Sequence, residues 1–192
     1  SYTSGMSATG MKNAGDLVAL ACNDTACGCS EGYGNRLKSS VSFNCMVCDV
    51  GTASSSVSLR CEQCRRGTYA DKRGLTDCTK CASGKYGTDT AIIRKIETES
   101  CLPCEKGKFA TGEGSTECTN CTLGSFCDEK EMKEPKKCKK GSSAGSYGSL
   151  ECDLCDAGTY QPEEGEAGCL RCPPGSFCAG PGLTKSTDCR PG

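Results

Sequence analysis

Large apolar side chains are sparse along this chain and form only one short run, Asp16-Leu-Val-Ala-Leu-Ala21. The run closes a Ser-, Gly- and Thr-rich lead-in over residues 1–21 and predicts a short strand or helical turn docked on the first crosslinked unit. Beyond it, apolar positions recur singly, on a frame of cysteine and glycine. The frame reads C-x2-C, then x2-Gly-x-aromatic, and its aromatics are Tyr69, Tyr86, Phe109, Phe126, Tyr160 and Phe177, six of the ten in the chain. In regular units a second glycine stands ten residues after the cysteine, at Gly74, Gly114, Gly148 and Gly165. In the unit Cys64 to Cys78, Gly67 permits a tight turn, and Thr68-Tyr69 suits a short strand. Gly74 fits the bend of a hairpin whose return strand ends at Cys78. The ring is expected to lie over a disulfide and serve as the small core of its unit. Two-stranded hairpins are marginal alone, so each needs its crosslink, worth roughly 3 kcal/mol for a loop of this length.

Seven units begin with C-x2-C, at 45/48, 61/64, 78/81, 101/104, 118/121, 152/155 and 169/172, and Cys138 opens an eighth with one cysteine. The stretch Cys101 to Cys138 reads C-x2-C-x13-C-x2-C-x5-C-x10-C, and the same spacing runs from Cys152 to Cys189, 51 residues on. Repeats of this kind predict a tandem array in which each unit contacts mainly its neighbours. The division expected is a lead-in with a first module over 1–44, C-x2-C repeats over 45–100, a six-cysteine repeat over 101–151 and its copy over 152–192. An insertion over 88–99, around Thr90-Ala-Ile-Ile-Arg-Lys-Ile96, predicts an enlarged surface loop, a longer hairpin or a contact patch. The loops 128–137 and 179–188 follow the extra cysteines Cys127 and Cys178 and differ in sequence, as surface loops do.

Composition turns this pattern into a fold class. With 21 cysteines in 192 residues, no Trp and 25 glycines, the chain is at the level of a disulfide scaffold. It cannot bury enough apolar surface to offset its conformational entropy. The expectation is a small disulfide-rich fold: an elongated tandem array of short β-hairpins with little hydrophobic core. The net charge of −1 and mixed signs argue against nucleic acid as a partner. No apolar run reaches about 18 residues, the length that marks a spanning helix, so no membrane insertion within this segment is expected. The sequence has no histidine, which excludes Ser-His and Cys-His chemistry. The acid pairs Asp128-Glu129 and Glu163-Glu164 read as solvated charge. No enzyme activity and no cofactor are expected. Zinc is the chemical rival, because Cys61-x2-Cys64-x13-Cys78-x2-Cys81 and Cys101-x2-Cys104-x13-Cys118-x2-Cys121 approach zinc-ribbon spacing. Against it stand the absent histidine and a cysteine ladder that does not stop at four. A redox reading of C-x2-C fails because Gly-rich hairpins supply no helix N-terminus to activate a thiol. Sequons at Asn23-Asp-Thr25 and Asn120-Cys-Thr122 are possible N-glycosylation sites. The cysteine content, the odd cysteine count and the lack of a signal-peptide pattern at Ser1 lead to the expectation of a mature piece of a secreted or surface protein.

At C-x2-C-x2-G-x-[YF], and at Cys121-Thr-Leu-Gly-Ser-Phe-Cys127 and Cys172-Pro-Pro-Gly-Ser-Phe-Cys178, residues 45–192 resemble the ephrin-receptor-like cysteine-rich repeat of extracellular and surface proteins. They are also similar to the first half of tumour-necrosis-factor-receptor cysteine-rich modules. Departures are Ala53 and Ser143 in the aromatic slot, and Pro135 where a cysteine would precede Cys138. Cys27-x-Cys29-x2-Gly-Tyr-Gly with Cys45 resembles the second half of an epidermal-growth-factor-like module whose last bridge is Cys29–Cys45. With cysteine parity, the resemblance implies a ladder: Cys22–Cys27, Cys29–Cys45, Cys48–Cys61, Cys64–Cys78, Cys81–Cys101, Cys104–Cys118, Cys121–Cys127, Cys138–Cys152, Cys155–Cys169 and Cys172–Cys178, with Cys189 unpaired within the segment. A rival pairing is epidermal-growth-factor-like inside each six-cysteine block: Cys101–Cys118, Cys104–Cys121 and Cys127–Cys138, with the same pattern in the block that starts at Cys152. Spacing does not choose between them. The function expected is a non-enzymatic extracellular structural element: a stalk, a spacer, or a subunit of a filament or surface coat. The alternative is a receptor or adhesion ectodomain. The expected partner is protein, by self-association or on a surface.

Overall fold

In a computed structural model of the chain, the structure describes residues 20–22, 27–29, 31–35, 45–55, 60–88 and 94–190. It is a small disulfide-rich fold of two-stranded antiparallel hairpins. The one helix among the described residues is a single turn, Glu97–Ser100. The chain divides into two compact units, residues 1–81 with 87–102 and residues 82–86 with 103–192. The first holds the pairs Leu20–Cys22 with Cys27–Cys29, Tyr33–Asn35 with Cys45–Val47, Thr52–Ala53 with Glu62–Gln63, and Thr68–Tyr69 with Thr79–Lys80. The second holds Lys108–Phe109 with Thr119–Asn120, Ser125–Phe126 with Lys136–Lys137, Ser142–Ser143 with Asp153–Leu154, Thr159–Tyr160 with Leu170–Arg171, and Ser176–Phe177 with Thr187–Asp188. A further hairpin pairs Lys85–Gly87 with Cys101–Pro103.

The return strand does not end at Cys78, as the glycine and cysteine positions lead one to expect. It comes after that residue and occupies Thr79–Lys80, the two residues inside C-x2-C. The same holds at Glu62–Gln63, Thr119–Asn120, Asp153–Leu154 and Leu170–Arg171, all exposed. The x2 pair is therefore a strand with a cysteine at each end. One cysteine closes its own hairpin and the other opens the next. In the second unit the five hairpins repeat at one constant spacing and in strict register, from Lys108↔Asn120 through Ser125↔Lys137, Ser142↔Leu154 and Thr159↔Arg171 to Ser176↔Asp188. Three such hairpins make up the 51-residue cysteine repeat.

The hairpins from Thr52 onward start with the same turn. The Lys108 amide donates to the Glu105 carbonyl at 3.1 Å, with Gly107 between them at φ 82. A turn with positive φ at its third residue selects glycine. Thr68, Ser142, Thr159 and Ser176, each just after such a turn glycine, donate their hydroxyls back to the carbonyl three residues earlier at 2.8, 2.8, 2.7 and 2.8 Å. That bond explains why Ser or Thr so often stands after the glycine.

Successive hairpins are then stitched by backbone. The turn glycine donates to the carbonyl of the residue after the next aromatic slot, as in Gly107 to Cys127 (2.9 Å), Gly124 to Ala144 (2.8 Å) and Gly141 to Gln161 (2.8 Å). The loop glycine donates to the cysteine that opens the preceding hairpin, as in Gly148 to Cys121, Gly165 to Cys138 and Gly182 to Cys155, at 2.8, 2.9 and 2.8 Å. Gly32, inside the segment that resembles an epidermal-growth-factor-like half-module, has the partners of a turn glycine: it donates to Ser54 and accepts from Cys48, as Gly107 donates to Cys127 and accepts from Cys121.

The core differs from the one expected. The rings are half-buried, and Phe177 is 47% exposed. Full burial goes to Cys48, Cys81, Cys104, Cys121, Cys127, Cys138 and Cys155. It also goes to the residue after the aromatic: Ala70, Ala110, Ala144 and the polar Gln161. Only a small side chain, or one whose polar end is satisfied, fits between stacked hairpins. Gln161 meets that condition by donating to the Gly168 carbonyl at 2.6 Å and accepting from the Glu163 amide at 3.1 Å. Ring-on-disulfide packing does occur at Phe109, which lies against Cys121, Cys127 and Met132.

Candidate functional site

The residues singled out in the sequence are nearly all cysteines, and the structure places them as hairpin closures. Among the described residues there are nine disulfides: Cys29–Cys45, Cys48–Cys61, Cys64–Cys78, Cys81–Cys101, Cys104–Cys118, Cys121–Cys127, Cys138–Cys152, Cys155–Cys169 and Cys172–Cys178. Cys189 is a free, exposed thiol. The side chains of Cys22 and Cys27 lie outside the described residues, as does Asn23. The cysteines with zinc-ribbon spacing are each consumed. In the first set Cys61 is taken by Cys48, Cys64 by Cys78, and Cys81 by Cys101. In the second set Cys104 is taken by Cys118 and Cys121 by Cys127. A disulfide sulfur is not the thiolate that zinc requires.

Two closures are used. In the long closure the opening cysteine is joined to one 13 to 20 residues on, 14 in four hairpins, with Cα atoms 5.7 Å apart for Cys104–Cys118 and Cys138–Cys152. In the hairpins opened by Cys121 and Cys172 the partner is only 6 residues away. There the equivalents of Cys118 and Cys152 are Pro135 and Ser186. The bond instead takes Cys127 and Cys178, which sit in the buried slot that Ala110 and Ala144 fill elsewhere. The crosslink is relocated within the hairpin, and the register is unchanged.

The loops expected to carry specificity are tied down. In loop 128–137, Lys136 Nζ donates to both Asp128 oxygens at 2.8 and 3.1 Å and to Glu129 at 3.3 Å. Lys130 pairs with Glu105 at 2.8 Å. The Lys136 hydrogen bond holds the Asp128 carboxyl below its usual range, and the same bond raises the Lys136 ammonium. Beneath these charges Met132 is buried, and its carbonyl accepts from the Ala110 amide. In the 88–99 insertion, residues 89–93 lie outside the described residues. Arg94 anchors the rest: its carbonyl accepts from the Ala70 amide at 2.9 Å, and its guanidinium reaches the Thr88 carbonyl at 3.2 Å. Loop 179–188 bonds back through the Gly182 amide and the Leu183 carbonyl, the latter accepting from Gln161. Nothing in the sequence pattern marked Arg94. The buried slot had a visible signal, a small residue recurring directly after the aromatic.

Catalytic geometry is not assembled among the described residues. A cleft of about 290 Å³ in the first unit is walled by Arg60, Glu62, Arg65, Thr68 and Asp77 with alternating charges. No nucleophile and base are paired there. No group of three or more His, Cys, Asp or Glu able to hold a metal occurs among the described residues. No helix among them is long and apolar enough to cross a membrane.

Residues 51–91 and 141–189 match the family model described as tyrosine-protein kinase ephrin type A/B receptor-like. No curated protein matches the chain. The hairpins between the two matched stretches keep the same register and turn chemistry.

Proposed function

We propose that this chain, whose residues 51–91 and 141–189 match the ephrin-receptor-like family model, is a non-enzymatic extracellular structural element: a spacer or stalk, or a subunit of a filament or surface coat. The observation that carries this reading is the serial closure of hairpins, with a disulfide in each from Tyr33 onward and backbone bonds between successive hairpins. Its mechanism is mechanical. A 14-residue loop pinned at 5.7 Å between Cα atoms cannot lengthen under load, whereas the same loop unpinned reaches about 48 Å. Pinning also keeps the backbone out of proteases, which act on locally opened chain. The disulfide content suits an oxidising compartment outside the cytosol.

Small-angle scattering of the oxidised chain tests the reading. A compact globule of this length has a radius of gyration of about 16 Å, and the spacer is expected to exceed it clearly. A value at the globular figure would overturn the proposal.

A second reading, a protein-binding ectodomain, is favoured by one observation. Leu154, Leu170 and Phe177 on neighbouring hairpins of the second unit are 62%, 49% and 47% exposed. Large apolar side chains left open to solvent on successive hairpins are of the kind a protein partner covers.

A further inference from the structure

The repeat register gives Asn120 a specific neighbourhood. Asn120 is the last residue of its return strand, opposite Lys108. Lys137 and Leu154 hold the same place in the next two hairpins, opposite Ser125 and Ser142. Those two side chains each cover the loop glycine of the hairpin two further along. The Lys137 Cδ lies 3.3 Å from where a Cβ on Gly165 would be, and the Leu154 Cδ2 lies 3.4 Å from the corresponding point on Gly182. In the first unit Val47 covers Gly74 in the same way at 3.0 Å. For Asn120 the matching glycine is Gly148, bonded through its amide to the Cys121 carbonyl at 2.8 Å. Here the pattern breaks. Apart from its chain neighbours Tyr147 and Ser149, only the Gly107 carbonyl oxygen comes within 4 Å of the Cβ position of Gly148, at 3.5 Å, so the short Asn120 side chain leaves the place open. Beside that opening stands Tyr147, 68% exposed, where the neighbouring loops carry Glu164 and Pro181. It is the most exposed large apolar side chain among the described residues.

We propose that Asn120 is an N-glycosylation site and that its first sugar fills the open place over Gly148, against the Tyr147 ring. Asn120-Cys121-Thr122 is an acceptor sequence with no Pro at its centre, and Asn120 and Thr122 are both exposed. The donor is a lipid-linked oligosaccharyl diphosphate of the secretory pathway. The Asn120 Nδ2 attacks sugar C1, the Nδ2–C1 bond forms, and the C1–O bond to phosphate breaks. The lipid diphosphate leaves, and one amide proton is released. No redox change is involved. The sugar adds to the short asparagine the reach that lysine and leucine have at the sister positions. Its apolar face stacks on the exposed ring.

The proposal rests on the extracellular reading above, and the experiment separates the two. The chain is produced through a eukaryotic secretory pathway, its disulfides are counted by intact mass, and its peptides are mapped after amidase release of N-glycans in heavy-oxygen water. Asn120 is expected as heavy-labelled Asp, and as plain Asn in Thr122→Ala. Secreted, fully oxidised chain with unmodified Asn120 overturns the glycan and leaves the spacer reading standing. Failure to be secreted and oxidised overturns both. For the seat on Tyr147, nitration by tetranitromethane is compared between the glycosylated chain and Asn120→Gln. That substitution is tolerated by the strand, since Gln63 occupies the equivalent place opposite Thr52. Nitration of Tyr147 is expected to be several-fold slower with the glycan present, and equal rates overturn the seat.

Discussion

At the scale of single residues, backbone sign matters more than side-chain chemistry. Gly124 has φ 75, and a Cβ there would collide with the Gly165 carbonyl of a hairpin further along. Gly124→Ala therefore meets two penalties, the left-handed backbone at about 1–2 kcal/mol and a clash with backbone that cannot step aside. A loss above about 2 kcal/mol is expected in denaturant titration of the oxidised chain. Glu131 is the reverse case. It stands where Gly148 and Gly165 stand, donates its amide to the Cys104 carbonyl at 2.9 Å, and holds φ 60 as a non-glycine residue. Glu131→Gly is expected to raise stability by about 0.5–1 kcal/mol, and an unchanged or lower denaturation midpoint would contradict this. Asp128 shows how little the surface charges decide. Its carboxyl is lowered by the Lys136 hydrogen bond, so the pair's contribution is present above the ordinary carboxylate value and lost as pH falls through the lowered one. The Lys136 value is raised, so on the alkaline side the contribution is full below the ordinary lysine value and is lost as pH rises through the raised one. Both groups are exposed, which keeps the effect on unfolding small. An NMR titration is expected to find the Asp128 midpoint at higher pH in Lys136→Met than in the parent chain.

At the scale of one hairpin, much was legible. The turn glycine and the Ser or Thr after it follow from turn chemistry, and strand propensity marks Thr68-Tyr69. The return strand was not legible at Thr79–Lys80, because two exposed residues between cysteines carry no apolar alternation. Nor were the half-buried rings. A disulfide between stacked hairpins fills the space that a ring would need, and it does so with less volume. Cysteine spacing suggested a 51-residue repeat, because the second closure type recurs only every third hairpin. The backbone repeats with every single hairpin, across Pro135 and Ser186 alike. If the closure is interchangeable within the hairpin, Cys127→Ala with Pro135→Cys should restore the common form, with Cys121 now joined to the new thiol at position 135. Alanine already fills the buried slot at Ala110 and Ala144. The loop grows from 6 to 14 residues, which adds roughly 0.75 kcal/mol in the chain-entropy account. Lost contact between Cys127 and Met132 opposes this, so the net change is expected within about 1 kcal/mol. Non-reducing peptide mapping checks the pairing, and two free thiols at 121 and 135 would rule the idea out.

At the scale of the whole chain, what matters is how far damage to one hairpin spreads. Large apolar cores make a domain fail as one body, because every element shares the same buried surface. Here the fully buried side chains are chiefly cysteines and the residues after the aromatic slot, distributed over the hairpins, and the long-range bonds link each hairpin to its immediate neighbours. Stability should then be a sum of local terms with nearest-neighbour couplings. Removing Cys138–Cys152 by paired Ser substitution leaves the hairpin Ser142–Ser143 with Asp153–Leu154 without its closure. Two strands of two residues do not persist alone. The bonds that depend on this hairpin include Gly124 to Ala144, Gly148 to Cys121 and Cys155 to Gly141. Hydrogen exchange at the donating amides of Gly124, Gly148 and Cys155 is expected to accelerate by two orders of magnitude or so, the scale set by roughly 3 kcal/mol of closure. Cys121 to Gly107 and Cys172 to Gly158 lie on the far sides of the neighbouring hairpins and are held by their own disulfides. Their amides are expected to keep most of their protection. Uniform loss of protection across residues 103–190 would mean a single cooperative body and would count against a serial, spacer-like design. Loss confined to the altered hairpin and its flanks is the behaviour of a chain in which each link carries its own fastening.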